Sequence, residues 1–129
     1  MLSKKILVID DDIDLVEAMR ITLESAGFDV VDAQSGQQGI KRLQNDDPDL
    51  IILDVMMQTQ DEGFHTAYEI RSMKDYKDIP IIMLTAITME TGFTFDRDKD
   101  GDFLPVDEFL EKPISPQVLL EKVKIHLGL

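Results

Sequence analysis

The segment KKILVIDDDIDL, residues 4–15, runs an apolar stretch straight into Asp10, Asp11 and Asp12. Carboxylates this close repel one another, so a chain that gathers them needs a counter-charge nearby. Other apolar runs also stop on polar groups: LIIL (50–53) at Asp54, IIML (81–84) at Thr85, and FLE (109–111) at Lys112. If those runs lie side by side, Asp10, Asp11 and Asp54 converge with Lys112 close by. Mg2+ suits such a site, because it takes few carboxylates, keeps waters and bridges to phosphate. A carboxylate there can also act as a nucleophile and accept a phosphoryl group as an acyl phosphate. The cation and the Lys112 ammonium would neutralise the oxygens of that group, and Thr85 offers it a hydroxyl.

The elements that would position these residues follow from pattern. Five short runs rich in Ile, Val and Leu recur: KILVI (5–9), FDVVDA (28–33), LIIL (50–53), PIIML (80–84) and EFL (108–110). Runs without alternation suit parallel strands covered on both faces. Helical periodicity fills the gaps. Leu15, Met19, Leu23 and Ala26 form one stripe, with Glu17, Arg20 and Glu24 facing away and Gly27 as the stop. Ser35 caps a second helix carrying Ile40 and Leu43. A third spans about residues 65 to 74, with Ala67, Ile70 and Met73 inward. The last opens with Ser115 as cap and Pro116 at the first position, buries Val118, Leu119, Val123 and Leu127, and stops at Gly128. Strand and helix in alternation predict an α/β doubly wound sheet, in which ligands sit at the carboxyl ends of the strands.

Composition narrows the function classes. At 129 residues and 43% hydrophobic, the chain is expected to form one domain over residues 1–129. Its formal net charge of −13 repels DNA, RNA and anionic lipid, so direct nucleic-acid binding is not expected. No apolar run is long enough to span a membrane. The start MLSKKILVID reads as a first strand rather than a signal peptide, which favours the cytoplasm.

The motifs ILVIDDD, PDLIILDVMM, IPIIMLTA and DEFLEKPIS, taken together and in this order, resemble the receiver domain of two-component response regulators. The resemblance implies a flavodoxin-like fold: a five-stranded parallel sheet in the order 2-1-3-4-5 with helices on both faces. It implies a Mg2+-dependent phosphoacceptor switch fed by a sensor histidine kinase or phosphotransfer protein, acting on a downstream protein target and open to homodimerisation. Carried over by position, Asp54 resembles the phosphorylated aspartate. Asp10 and Asp11 resemble the acidic pair that holds the metal, Met56 the residue that gives it a backbone carbonyl, Thr85 the switch hydroxyl and Lys112 the phosphate-pairing lysine. The Lys112–Pro113 bond resembles a family cis peptide. Asp12 falls outside the pair and is expected at the start of the first helix, where a carboxylate favours the dipole.

Three departures from the family pattern stand out. Gln58 replaces a proline common after the phosphoacceptor, and the distance to Gly63 is one residue longer. Phe109 stands where many relatives carry tyrosine, so its ring can swing inward behind Thr85 but has no hydroxyl to bond. Residues 87–107 form a longer segment than usual, with Gly92, Gly101 and Pro105, which predicts an irregular or shortened fourth helix.

That segment holds a competing motif. Asp96, Asp98, Asp100 and Gly101 match the first half of a Ca2+-binding D-x-D-x-D-G loop, but the twelfth position is Asp107 rather than glutamate. A solvated acidic turn is the plainer reading. His65 and His126 read as ordinary helix residues. Two rival functions remain open: a non-phosphorylated binding module that keeps the fold, and a phosphatase using Asp54 as a transient nucleophile. The phosphatase usually needs a second acid two residues on, where this chain has Met56.

Overall fold

The computed structural model describes residues 3–57, 61–86 and 105–129. Within them the chain alternates strand and helix: β1 (Lys5–Ile9), α1 (Ile13–Ser25), β2 (Asp29–Ala33), α2 (Gly36–Asp46), β3 (Leu50–Asp54), α3 (Glu62–Ser72), a 3-10 turn (Lys74–Tyr76), β4 (Ile81–Ala86), β5 (Glu108–Lys112) and α4 (Pro116–Leu127). The five strands form one sheet in the order β2-β1-β3-β4-β5. Each neighbouring pair is parallel, with Ile9 level with Leu53, Asp54 with Leu84, and Ala86 with Lys112. The doubly wound sheet expected from the sequence is therefore the fold. The expected irregular fourth helix falls on residues 87–104, outside the described residues. Among the described residues no helix is long and apolar enough to cross a membrane.

The central strands are apolar up to their carboxyl ends because both faces are covered. On one face Ile6, Val8, Ile52 and Leu84 pack with Val16, Met19 and Leu23 of α1 and Leu119 and Val123 of α4. On the other, Leu7, Ile9, Leu53 and Met83 pack with Leu43 of α2 and Ala67 and Ile70 of α3. Side chains alternate faces along each strand, so the two cores use alternate residues of the same run.

The helix ends follow local chemistry. Asp12 accepts from Leu15 N–H at 3.2 Å, Ser35 from Gln38 and Ser115 from Val118, each satisfying one of the orphan amides of a first turn. Gly128 closes α4 with φ of 74°, a conformation that glycine adopts without a Cβ penalty.

Several helix details differ from the sequence reading. Arg20 does not face away into water: it donates to the Val30 carbonyl at 3.0 Å and to Asp32, tying α1 to β2. Val118 is 40% exposed, because the buried edge of α4 runs through Leu119 and Val123. The third helix starts three residues earlier than expected, at Glu62, and Met73 lies just past its end in extended backbone. Its cap, Asp61, makes no side-chain capping bond, so the usual start signal is absent.

Candidate functional site

Parallel pairing brings the strand ends to one edge. Ile9 sits beside Leu53, so the residues that follow, Asp10 and Asp54, leave the sheet as neighbours. Asp10, Asp11 and Asp54 each offer a carboxylate oxygen, all within 4.8 Å of one another. Asp10 and Asp54 are buried and Asp11 is exposed, so the cluster opens toward solvent on one side. From the end of β5, Lys112 Nζ reaches back and stands 3.2 Å from Asp10 Oδ2 and 3.2 Å from Asp54 Oδ1. Its peptide to Pro113 is cis.

The electrostatics follow from this crowding. Burial, and then the charge of Asp10, push the Asp54 carboxyl up to about 6, against the opposing pull of Lys112 and the Met56 N–H. Burial alone would lower the Lys112 ammonium, but Asp10 and Asp54 beside it raise it above the ordinary lysine range. Asp10 Oδ1 is held by Asp12 N–H at 2.9 Å. Its Oδ2 is buried and has no hydrogen-bond partner among the described residues, although Lys112 lies at ion-pair distance. A buried carboxylate oxygen left this way is costly unless something else occupies its lone pairs. Three carboxylates, one ammonium and an unsatisfied buried oxygen together suit a hard divalent cation, so the residues present fit Mg2+.

The remaining predicted residues fall around this centre. Thr85 is buried near the end of β4, one residue beyond the Asp54–Leu84 pairing. Phe109 lies level with Met83 on β5. By alternation Thr85 and Met83 share a face, and Phe109 packs there against the α2–α3 core, its ring 6.3 Å from that of Phe64 on α3. Met56 is partly exposed after Asp54, whereas Met57 is a buried packing residue. Gln58 lies outside the described residues.

Of the competing motif, only its twelfth position falls among the described residues. Asp96, Asp98, Asp100 and Gly101 lie outside the described residues. Asp107 sits at the amino ends of the strands, where its Oδ2 accepts from Arg71 at 2.9 Å and from Ile81 N–H at 2.8 Å. His65 is paired with Asp61 on the surface. His126 is 2.7 Å from Glu108 Oε1, joining α4 to β5. Neither histidine is among the residues that converge on Asp54.

Sequence reasoning missed two features. Arg71 donates to the carbonyls of Pro105, Tyr76 and Ile79 as well as to Asp107, fastening the end of α3 to the starts of β4 and β5. The first turn of α3, through Gly63 and Phe64, packs directly behind Asp54 and Phe109. Gly63 was visible only as a spacing marker, and a glycine in a first turn carries no apolar signal.

Comparison with known proteins bears on the family and the fold. The family model of the response regulator receiver domain matches residues 6–124. The alkaline phosphatase synthesis transcriptional regulatory protein PhoP of Bacillus subtilis is 37% identical over 126 residues, covering 98% of this chain and 49% of that protein. The chain spans about half the length of the curated relatives it matches. Among solved structures, the chemotaxis protein CheY4 of Vibrio cholerae superposes with a TM-score of 0.82 at 29% identity, covering 96% of this chain and 98% of that one. The signal receiver domain of a signal transduction histidine kinase from Syntrophus aciditrophicus gives a TM-score of 0.80 at 28% identity, covering 98% and 91%.

Proposed function

The chain belongs to the response regulator receiver family, and from that premise we propose that it is a single receiver domain over residues 1–129 that accepts a phosphoryl group on Asp54. The observation that carries this reading is the position of Lys112 Nζ, 3.2 Å from both Asp10 and Asp54 in a cluster of three carboxylates. An ammonium placed there can face the charge that develops on a phosphoryl group attached to Asp54.

In the proposed reaction an Asp54 carboxylate oxygen attacks the phosphorus of a phosphohistidine on a sensor kinase or phosphotransfer protein. The O–P bond forms as the N–P bond breaks, and the electron pair leaves with the imidazole. With its carboxyl at about 6, Asp54 is mostly ionised at neutral pH and so is available as the nucleophile. Lys112 moves from pairing two carboxylates to pairing a phosphoryl oxygen, and Thr85 donates its hydroxyl to another. Asp10, Asp11, Asp54 and the Met56 carbonyl would hold Mg2+, which when bound supplies charge neutralisation for the phosphoryl oxygens. Phosphorylation and slow hydrolysis at Asp54 are the only chemistry; the output is altered affinity for a downstream protein. Phe109 fills the space that Thr85 leaves, and the surface built on β5, α4 and the segment before β5 carries the change. With a formal net charge of −13, the domain acts on proteins rather than on nucleic acid, in the cytoplasm.

Intact-mass measurement after treatment with acetyl phosphate and Mg2+ tests the reading. The wild type gains one phosphate and Asp54→Ala gains none. An equal gain in the variant overturns it.

A further inference from the structure

Three consecutive residues at the start of α3 each touch a different working part. Glu62 Oε2 accepts from the backbone N–H of Gly36, the first residue of α2, at 2.8 Å. Gly63 donates its N–H to the Val55 carbonyl at 2.9 Å. A Cβ at position 63 would overlap the Asp54 carbonyl oxygen and stand 2.6 Å from Val55 Cα. Phe64 lies against Phe109, the rings 6.3 Å apart between centroids and tilted by 49°.

The obstruction at Gly63 is backbone on both sides, so no rotamer change relieves it. The first turn of α3 therefore rests without slack on the peptide that carries Asp54, and the next residue carries the ring that Phe109 meets. A hydrogen-bonded helical turn transmits displacement as a rigid body. The far end of α3 is fastened to β5 by Arg71, through Asp107 and the Pro105 carbonyl, each at 2.9 Å. A displacement imposed at Gly63 is then a tilt about Arg71 rather than a slide, and its consequence appears at the Phe64–Phe109 contact.

We propose that Phe64 is a positioning residue for Phe109, and that the first turn of α3 couples Asp54 to the β5 surface alongside Thr85. The proposal rests on the phosphoacceptor reading above and adds a second line of coupling to it. It is a claim about two discrete arrangements that both sites bias, so it calls for a measured coupling rather than a traced path. An aromatic pair of this kind biases a two-position ring by roughly threefold to tenfold.

The test places 4-fluorophenylalanine at position 109 and follows its 19F resonances with and without Mg2+ and beryllofluoride, a phosphoryl mimic. Phe64→Leu keeps apolar bulk but removes the ring; Phe64→Tyr keeps the ring. His65→Ala, at an exposed neighbouring position on the same helix, controls for general loosening of α3. In Phe64→Leu the ratio of the two Phe109 positions changes roughly threefold to tenfold, and beryllofluoride affinity changes with it by no more than that factor. Phe64→Tyr restores wild-type behaviour and His65→Ala matches wild type. The inference is overturned if Phe64→Leu leaves ratio and affinity unchanged, or if His65→Ala produces the same change. Absence of saturable, Mg2+-dependent beryllofluoride binding to the wild type by calorimetry instead overturns the phosphoacceptor reading, and this inference with it. A Phe64→Leu protein that fails to fold passes the test to Phe64→Met, which keeps apolar bulk without the ring and is expected to change the ratio of the two Phe109 positions by a similar factor; an unchanged ratio there overturns the inference.

Discussion

At the amino ends of the strands, Arg71 spends its donors on three carbonyls and the Asp107 carboxylate, and Asp107 also accepts from the Ile81 amide. At the carboxyl ends, Lys112 is shared between two buried carboxylates, and one oxygen of Asp10 has no hydrogen-bond partner among the described residues. Both ends gather charge at an edge of one sheet, partly exposed at the amino end and buried at the carboxyl end, but only the first satisfies it. A guanidinium with four of its five donors in use has little left to offer a ligand and reads as a fastening. An ammonium between two acids, beside an unsatisfied oxygen, has interactions still to make. The difference separates charge that holds the fold from charge that waits for a ligand.

The sharpest way to break the comparison is to remove Arg71. Arg71→Ala leaves several acceptors and a carboxylate without their donor, and a loss of about 2–3 kcal/mol of stability is expected. Urea unfolding should show it as a lower midpoint. Mg2+ affinity, measured by calorimetry on the folded variant, should stay within about twofold of wild type, since the carboxyl-end cluster is untouched. A variant with wild-type stability would show that the amino-end network is ornamental, and the comparison would fail.

The opposite sign is expected at the other end. In metal-free protein at neutral pH, Asp54→Asn removes one of two buried like charges while keeping the shape, so stability should rise by about 1–2 kcal/mol. Added Mg2+ should raise the unfolding midpoint of the wild type and have much less effect on the variant. A destabilised Asp54→Asn would mean that the Lys112 pairs outweigh the repulsion and that this end, too, is built for stability.

Legibility in the sequence divides along the same line. The three central strands were readable because each is buried on both faces and appears as a run of Ile, Val and Leu, whereas the edge strands β2 and β5 show only short apolar pairs among polar residues. The charged residues at their carboxyl ends stood out against that background, so Asp10, Asp11, Asp54 and Lys112 could be grouped from the residues themselves. Strand order, and the parts given to Met56 and Phe109, came only with the family resemblance, since no local pattern says which strands are neighbours. The amino-end fastening was invisible. Arg71 meets Asp107 across 36 residues of chain, and each looks alone like ordinary surface charge. The start of α3 was misplaced because Gly63 interrupts its apolar pattern and Asp61 makes no capping bond with its side chain. Helical period also put Arg20 outside, because the period cannot see β2 arriving beside it.

The smallest effect lies between these extremes, where α4 meets the edge strand. Glu108 of β5 accepts from His126 at 2.7 Å and pairs with Lys122 at 3.0 Å, both on α4. Burial by itself would raise the Glu108 carboxyl, but the hydrogen bonds from His126 and Lys122 outweigh it and hold the group below the ordinary carboxylate range. A carboxylate whose folded value is depressed contributes stability that is present above its unfolded value and lost as pH falls through the folded one. The contribution should therefore be intact at neutral pH and fade in the acid range below the usual glutamate value. Partly exposed pairs of this type contribute about 0.5–1 kcal/mol. Glu108→Gln should lower the unfolding free energy from urea titration by that amount at neutral pH and converge with wild type under acid conditions. A constant offset across the whole range would mean that Glu108 acts by packing rather than by charge. The seam between β5 and α4 would then be a third kind of region, neither fastened by ionic bonds nor held in reserve for a ligand.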